Sequence, residues 1–301
     1  MKAKKFITLA LTAVLSLSMI SCAGQKSKSL SGTIKIDGSS TVYPITQAVA
    51  EEFKKENQGV EITVGVSGTG GGFKKFVVGE IDINNASRHV KQEELDKAKA
   101  NGIEMTEVQV AFDGIAVVVN KQNDWAKDMT VEELKMIWDK DSKVQYWSDV
   151  RPEWPKEKIK LYGPGTDSGT FEYFTEAING KAKQIRADYT ASEDDNVLVQ
   201  GVAGDKYAMG FFGLAYYEEN MDKLNVVKVN GVEPTVETVK NGTYKPLSRP
   251  LFIYVSNKAL ERPEVKEFVK FYLTKGKDLV KEVGYIPMED SKYQEELNKI
   301  K

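Results

Sequence analysis

Gly163-Pro164-Gly165-Thr166-Asp167-Ser168-Gly169-Thr170 lies between two apolar patterns. Before it comes a short run, Ile159, Leu161 and Tyr162; after it, Phe171, Phe174 and Ile178 fall at i, i+3 and i+7. The order is strand, glycine loop, helix start. Such a junction leaves unpaired backbone N–H groups at the first helical turn, beside the positive end of the helix dipole. Ser168 and Thr170 add hydroxyl donors, and Gly169 lets an anion approach the backbone. The stretch therefore reads as a cradle for an oxyanion. An ordinary N-cap by Asp167 or Ser168 accounts for the same residues. A serine nucleophile is a third reading, because Asp-Ser-Gly also occurs in hydrolases.

The same design occurs twice more. Residues 33–36 form a short strand that runs into Asp37-Gly38-Ser39-Ser40-Thr41, then Pro44 and a helix with Ile45, Ala48, Val49 and Phe53 on one face. Residues 60–66 are β-branched and partly alternating, which predicts a strand. Ser67-Gly68-Thr69-Gly70-Gly71-Gly72 follows, then a short helix marked by Phe73, Phe76 and Val77. One glycine loop before a helix is weak evidence; three, each carrying Ser or Thr, are harder to assign to chance. A further short strand, Ile81-Asp82-Ile83, leads into Asn84-Asn85-Ala86-Ser87-Arg88-His89. Arg88 at a strand's C-terminal end is a candidate guanidinium fork for an oxyanion, because the ligand crevice of an α/β sheet lies outside those ends.

Strands alternate with helices along the whole chain, so the class is α/β. At 301 residues two domains are expected. The apolar run at 108–119 is about twice a usual strand length, which makes it two strands or one that crosses between domains. Residues 251–255 form the second candidate crossing. With a net charge of −2 no electrostatic footprint favours nucleic acid. One cysteine and one histidine exclude an intrachain disulfide and a Cys/His metal cluster.

Residues 1–22 read as an export signal: Lys2, Lys4 and Lys5, then an apolar stretch from Phe6 to Ile20, then Met19-Ile20-Ser21-Cys22. The last four residues resemble a bacterial lipobox, with Met19 in place of the usual Leu, so Cys22 is the expected lipid anchor. Residues 23–32 are polar and glycine- and serine-containing, as in a tether. Removing residues 1–21 takes away three lysines and no carboxylate, so −2 becomes −5. Anion capture by such a chain has to be local.

Enzymatic motifs do not complete themselves. The spacing of G-x-S-x-G is absent, and a serine nucleophile at Ser168 would need His89 as its base. No Walker sequence and no G-x-G-x-x-G is present. The carboxylate pairs Glu51-Glu52, Glu132-Glu133 and Asp194-Asp195 read as solvated helix faces or caps.

Taken together, Asp37-Gly38-Ser39-Ser40-Thr41-Val42-Tyr43-Pro44, residues 67–72, Ala86-Ser87-Arg88 and residues 163–170 resemble the binding loops of bacterial phosphate-binding proteins, the extracytoplasmic receptors of ABC phosphate importers. Residues 189–199, Tyr-Thr-Ala-Ser-Glu-Asp-Asp-Asn-Val-Leu-Val, are similar to the cyanobacterial-type branch. The resemblance runs from about residue 33 to the C-terminus. It implies a two-lobed periplasmic-binding-protein-like (type II) fold with two crossover strands, closing on the anion about hinges near Asp113-Gly114 and Ser248-Arg249. The first lobe is expected over 33–113 plus 249–301 and the second over 114–248. The resemblance further implies that Ser40, Thr41, Thr69, Ser87, Arg88, Ser168, Gly169 and Thr170 hold inorganic phosphate. No cofactor and no chemistry on the ligand are expected. The expected partners are a membrane-embedded permease and, through the lipid, the membrane; the chain itself is expected to act as a monomer. Members of that family carry Asp after the Ala-Ser pair and Arg just before the Ser-Gly-Thr loop. Here Arg88 and Pro164 stand in those places. Arg88 is therefore expected to replace the missing arginine, and Asp167 and Asp82 are candidate acceptors for the proton of bound phosphate. The rival readings are a receptor for another tetrahedral oxyanion such as sulfate, and a serine hydrolase using Ser168.

Overall fold

The computed structural model describes residues 30–300. The export-signal and Cys22 readings, and residues 23–29 of the tether, lie outside the described residues. Gly32, expected in the tether, opens the first strand.

The chain begins with β1 (Gly32–Gly38), α1 (Tyr43–Glu56), β2 (Val60–Val64), α2 (Thr69–Phe76), β3 (Ile83–Ala86) and α3 (Gln92–Ala100). β1 pairs in parallel with both β2 and β3, with Ile36 opposite Val64 and Ile83. Parallel strands need crossover connections, and α1 and α2 supply them. β3 lies two residues later than the expected Ile81–Ile83 strand. Asn84 and Asn85, read above as loop, are fully buried strand residues. Asn85 keeps a partner there, because the Thr46 hydroxyl donates to its Oδ1 at 3.0 Å.

β4 (Met105–Asn120) resolves the long apolar run: it is one strand of 16 residues. Beyond it come β5 (Asp128–Met129), α4 (Val131–Trp138), α5 (Trp147–Val150), β6 (Lys160–Pro164), α6 (Gly169–Asn179), β7 (Thr190–Ser192) and α7 (Asp195–Ala203). Then follow β8 (Ala208–Gly213), α8 (Leu214–Glu218), β9 (Leu224–Val226), β10 (Lys228–Val229) and α9 (Val236–Lys240). β6 pairs in parallel with β7 and β8, repeating the arrangement around β1. The chain returns through β11 (Ser248–Ser256) and ends in α10 (Asn257–Leu260), α11 (Pro263–Leu273), α12 (Gly276–Glu282) and α13 (Asp290–Asn298).

The sheet runs β2-β1-β3-β11-β4-β8-β6-β7, with β9 also on β4. The first half of β4 pairs antiparallel with β11, and its second half pairs with β8 and β9. The fold is α/β with two lobes, and β4 is the strand common to both. Separate apolar cores flank it. One draws on residues 34–111 and 251–300, with a small satellite cluster around Phe73, Phe76 and Tyr254. The other draws on residues 115–247 together with Ile286. In the second core the rings of Phe174 and Phe211 stack at 3.7 Å, and Trp138 stands edge-on to both at 5.7 and 5.0 Å. Truncating any of these rings to alanine costs about 3–5 kcal/mol. Among the described residues no helix is long and apolar enough to cross a membrane.

Candidate functional site

Four loops leave the C-terminal ends of parallel strands β1, β2, β3 and β6 and converge where the lobes face each other. α1 begins with no side-chain cap, Pro44 in its first turn, and Ser40 and Thr41 just ahead of it. α2 also begins uncapped. Gly68 precedes it at φ 75°, a conformation that costs a residue with a Cβ, so the turn is available to glycine. In α1 the Tyr43 N–H donates to the Ser39 carbonyl at 3.0 Å and Pro44 has no N–H, so the N–H groups left facing outward there belong to the turn at 40–42; in α2 they belong to the first helical turn itself. α6 is different: the Ser168 hydroxyl accepts from the N–H groups of Thr170 at 3.2 Å and Phe171 at 3.4 Å. The N-cap reading and the cradle reading thus describe one loop.

Ser40, Thr41, Thr69, Ser87 and Arg88 line one cavity of about 480 Å³, together with Lys91, Glu172, Glu176 and Arg249. Thr69 and Ser87 hydroxyls lie 3.1 Å apart, and the Ser87 N–H donates to Thr69 Oγ1. Ser67 donates to Asp37 at 2.8 Å, and Lys75 pairs with the same carboxylate, which fixes the second loop against β1. Burial pushes the Asp37 carboxyl up, but Lys75, Ser67 and the Gly38 N–H outweigh it and hold it below the usual range.

Ser168, Gly169 and Thr170 line an adjoining cavity of about 210 Å³, which Ser40 shares. The two lobes touch at this boundary. Ser40 donates to Glu172 at 2.9 Å, and Thr41 donates to the Gly169 carbonyl at 3.4 Å. A Cβ at Gly169 would stand 2.6 Å from the Thr41 Cα, so the absence of a side chain sets how closely the lobes approach.

Arg88 lines the cavity, but its fork is engaged. Nη1 and Nη2 donate to the two carboxylate oxygens of Glu94 at 2.9 and 2.8 Å, and its guanidinium stands 5.5 Å from the Phe73 ring centroid. Burial pushes the Glu94 carboxyl up; the bonds from Arg88 and the Lys91 N–H more than offset this and hold it below the ordinary value. Of the two candidate proton acceptors, Asp82 needs correction on position. Asp82 precedes β3, at the end of the strand away from the cleft; it pairs with Arg262 at 2.5 Å and accepts from the Lys35 N–H. Asp167 is exposed and lines only the smaller cavity. The carboxylates on the main cavity are those of Glu172 and Glu176. His89 contacts Glu107 at 3.1 Å and packs on the Phe252 ring, and it lines neither cavity, so it offers Ser168 no base.

The comparisons agree with this geometry. Residues 23–275 match the model of the PBP superfamily domain. Protein SphX of Synechococcus elongatus is 50% identical over 276 residues, covering 89% of this chain and 81% of that protein. The phosphate-binding protein PstS of Staphylococcus saprophyticus is 42% identical over 276 residues, covering 89% and 84%. The chain belongs to the phosphate-binding-protein family of the PBP superfamily. Among solved structures, a possible phosphate-binding protein of Planctomyces limnophilus superposes with a TM-score of 0.88 at 54% identity, covering 90% of this chain and 98% of that one. A substrate-binding protein assigned to a phosphate ABC transporter of Clostridium perfringens, solved with phosphate bound, gives 0.59 at 30% identity, covering 86% and 100%.

For a phosphate-binding-family chain, one cleft residue escaped the sequence reading. The sequence marks Arg249 only as a hinge residue. Its Nη2 donates to Thr41 Oγ1 at 2.7 Å, and its guanidinium carbon lies 3.5 Å from the centroid of the Tyr173 ring. Its neighbours Ser248 and Pro250 give no local sign of this. The helical pattern could have flagged Glu172, which lies four residues after Ser168 and so one turn along the same face.

Proposed function

We propose that this chain captures inorganic phosphate between its lobes and delivers it to the membrane-embedded permease of an ABC importer. The observation that carries the reading is the convergence of four hydroxyl- and glycine-rich strand ends on one interlobe cleft, two of them opening uncapped helices. Backbone N–H groups of the 40–42 turn and of the start of α2, the hydroxyls of Thr69 and Ser87, those of Ser40 and Thr41 once turned from Glu172 and the Gly169 carbonyl, and the Ser168–Thr170 loop from the other lobe form a cage of donors. Arg88 and Lys91 add positive potential at its edge. Hinging near Asp113-Gly114 and Ser248-Arg249, between lobes of residues 33–113 plus 249–301 and 114–248, closes the cage. No bond of the ligand is made or broken. The relatives named for phosphate binding support the choice of anion. Glu172 and Glu176 support it as well: a carboxylate facing the anion accepts a hydrogen bond from the P–OH of hydrogen phosphate and finds no such donor on sulfate. A lipid on Cys22 would hold the monomeric receptor at the outer face of the cell membrane.

Titration calorimetry with phosphate and sulfate tests the reading. One phosphate per chain, with sulfate at least about 100-fold weaker, is the expected result. Equal competition by sulfate refutes the phosphate assignment, and no heat with either anion refutes the cleft as an anion site.

A further inference from the structure

We propose that Arg249 is the cation on which the bound anion sits, and that Asp113, its buried partner on the adjacent strand, sets how much of that charge the anion receives. The inference rests on the reading of the cleft as an anion site and assigns its charge.

Arg249 and Asp113 face each other in the register of β11 and β4, at the level where both strands pass between the lobes. Three parts of the chain hold the guanidinium. Nε donates to Asp113 Oδ2 at 3.2 Å, Nη2 donates to Thr41 of the β1–α1 loop, and the Tyr173 ring of α6 covers one face. Tyr173 is itself fixed, because its hydroxyl donates to the Pro246 carbonyl at 2.6 Å. The Arg249 side chain is 13% exposed and lines the main cavity. Among the described residues its Nη1 has no protein partner, and Nη2 keeps one N–H uncommitted.

Arg88 contrasts on each count. Its side chain is 33% exposed, and both of its Nη atoms are spent on Glu94, with Nη1 also on the His89 carbonyl. Of the two arginines on the cavity, Arg249 is the one with a free edge. Its charge is also the more dehydrated, so each bond from it to an anion is stronger than from a solvated cation.

Asp113 opposes that charge. Its side chain is 3% exposed, and burial pushes its carboxyl up while Arg249 pulls it down. The carboxylate fixes the orientation of Nε and subtracts from the field the anion meets. Removing its charge while keeping its shape separates the two roles. An amide at position 113 still accepts from Nε but no longer repels the anion.

The test is phosphate titration of wild type, Arg249→Gln, Arg249→Lys and Asp113→Asn at one pH and ionic strength, with circular dichroism of each variant. Arg249→Gln is expected to weaken binding roughly 10- to 100-fold. Arg249→Lys, which keeps charge but loses the planar fork, is expected to lose at least about tenfold. Asp113→Asn is expected to tighten binding roughly 3- to 30-fold, a direction that a purely structural role for the pair does not produce. Wild-type affinity in either folded Arg249 variant overturns the proposal, as does weakening in Asp113→Asn. Should Asp113→Asn fail to fold, Arg249→Lys decides. Loss of all binding in wild type is a separate result, which removes the anion site itself.

Discussion

Gly169→Ala tests whether capture needs the lobes to meet as they do here. The added Cβ would lie 2.6 Å from the Thr41 Cα, 2.8 Å from its N and 2.9 Å from its Oγ1. These neighbours are backbone and a short side chain, so they cannot swing aside. Restoring ordinary contact at 3.4 Å moves the lobes apart by 3.4 − 2.6, about 0.8 Å. The bond from Ser40 to Glu172, now 2.9 Å, then stretches to about 3.7 Å, and that from Thr41 to the Gly169 carbonyl, now 3.4 Å, to about 4.2 Å; both pass out of range. An anion held from both sides suffers the same displacement. Losing two charge-assisted bonds at about 1.5–3 kcal/mol each weakens phosphate binding roughly 150- to 20,000-fold. The ligand-free fold is expected to survive, because position 169 is the first residue of α6 and alanine suits a helix better than glycine. Calorimetry gives the affinity and small-angle scattering the closure. Wild-type affinity with the same phosphate-induced compaction would refute the reasoning.

Three further outcomes are expected. Ser168→Ala should cost about 1 kcal/mol of stability through loss of the α6 cap, and a p-nitrophenyl ester assay should show no difference from wild type. Burial, then Asp194 and Glu193, pushes the Asp195 carboxyl up to about 6. The folded state therefore binds this proton more tightly than the unfolded state, so the ionised group opposes folding, with no cost below pH 3.8 and the full cost above about pH 6. Asp195→Asn should raise the urea midpoint at pH 7 and leave it unchanged near pH 3.8; an equal gain at both ends would exclude the titration. Arg88→Ala leaves Glu94, 12% exposed, without its fork. Stability should fall by about 1–3 kcal/mol and phosphate affinity by less than about tenfold; a 100-fold loss of affinity at unchanged melting temperature would give Arg88 the role assigned to Arg249.

What the sequence discloses by itself is local. Each strand, hydroxyl-bearing loop and helix start is written within about 20 consecutive residues, which is why Ser40, Thr69 and Ser168 could be picked out. The misses required distance or burial. Arg249 meets Asp113 across 136 positions and Thr41 across 208, through a strand pairing that no periodicity encodes. Asn84 and Asn85 look like loop residues because they are polar, yet their backbone pairs on both sides and a buried hydroxyl serves one side chain. Arg88 was read without Glu94, six residues on, whose carboxylate also closes the start of α3 by accepting from the Lys91 N–H. Asp82 shows the same limit: its residue type fits an acceptor, but the strand starts one position later and leaves it at the strand end away from the cleft.

The position of β11 imposes an order on assembly. It lies between β3 and β4 in the sheet, yet it is made after every other strand. Until residues 248–256 have left the ribosome or the export channel, β3 and β4 have no neighbour to join them, and the core that includes Phe268 and Tyr272 has no lid. The portion between residues 115 and 247 has no such wait, since its strands come from one unbroken stretch. The nascent chain is thus a second half complete but for Ile286, carrying an open first half. That open half, with its unpaired edges on β3 and β4, is the part exposed to wrong pairing until the last fifth of the polypeptide arrives.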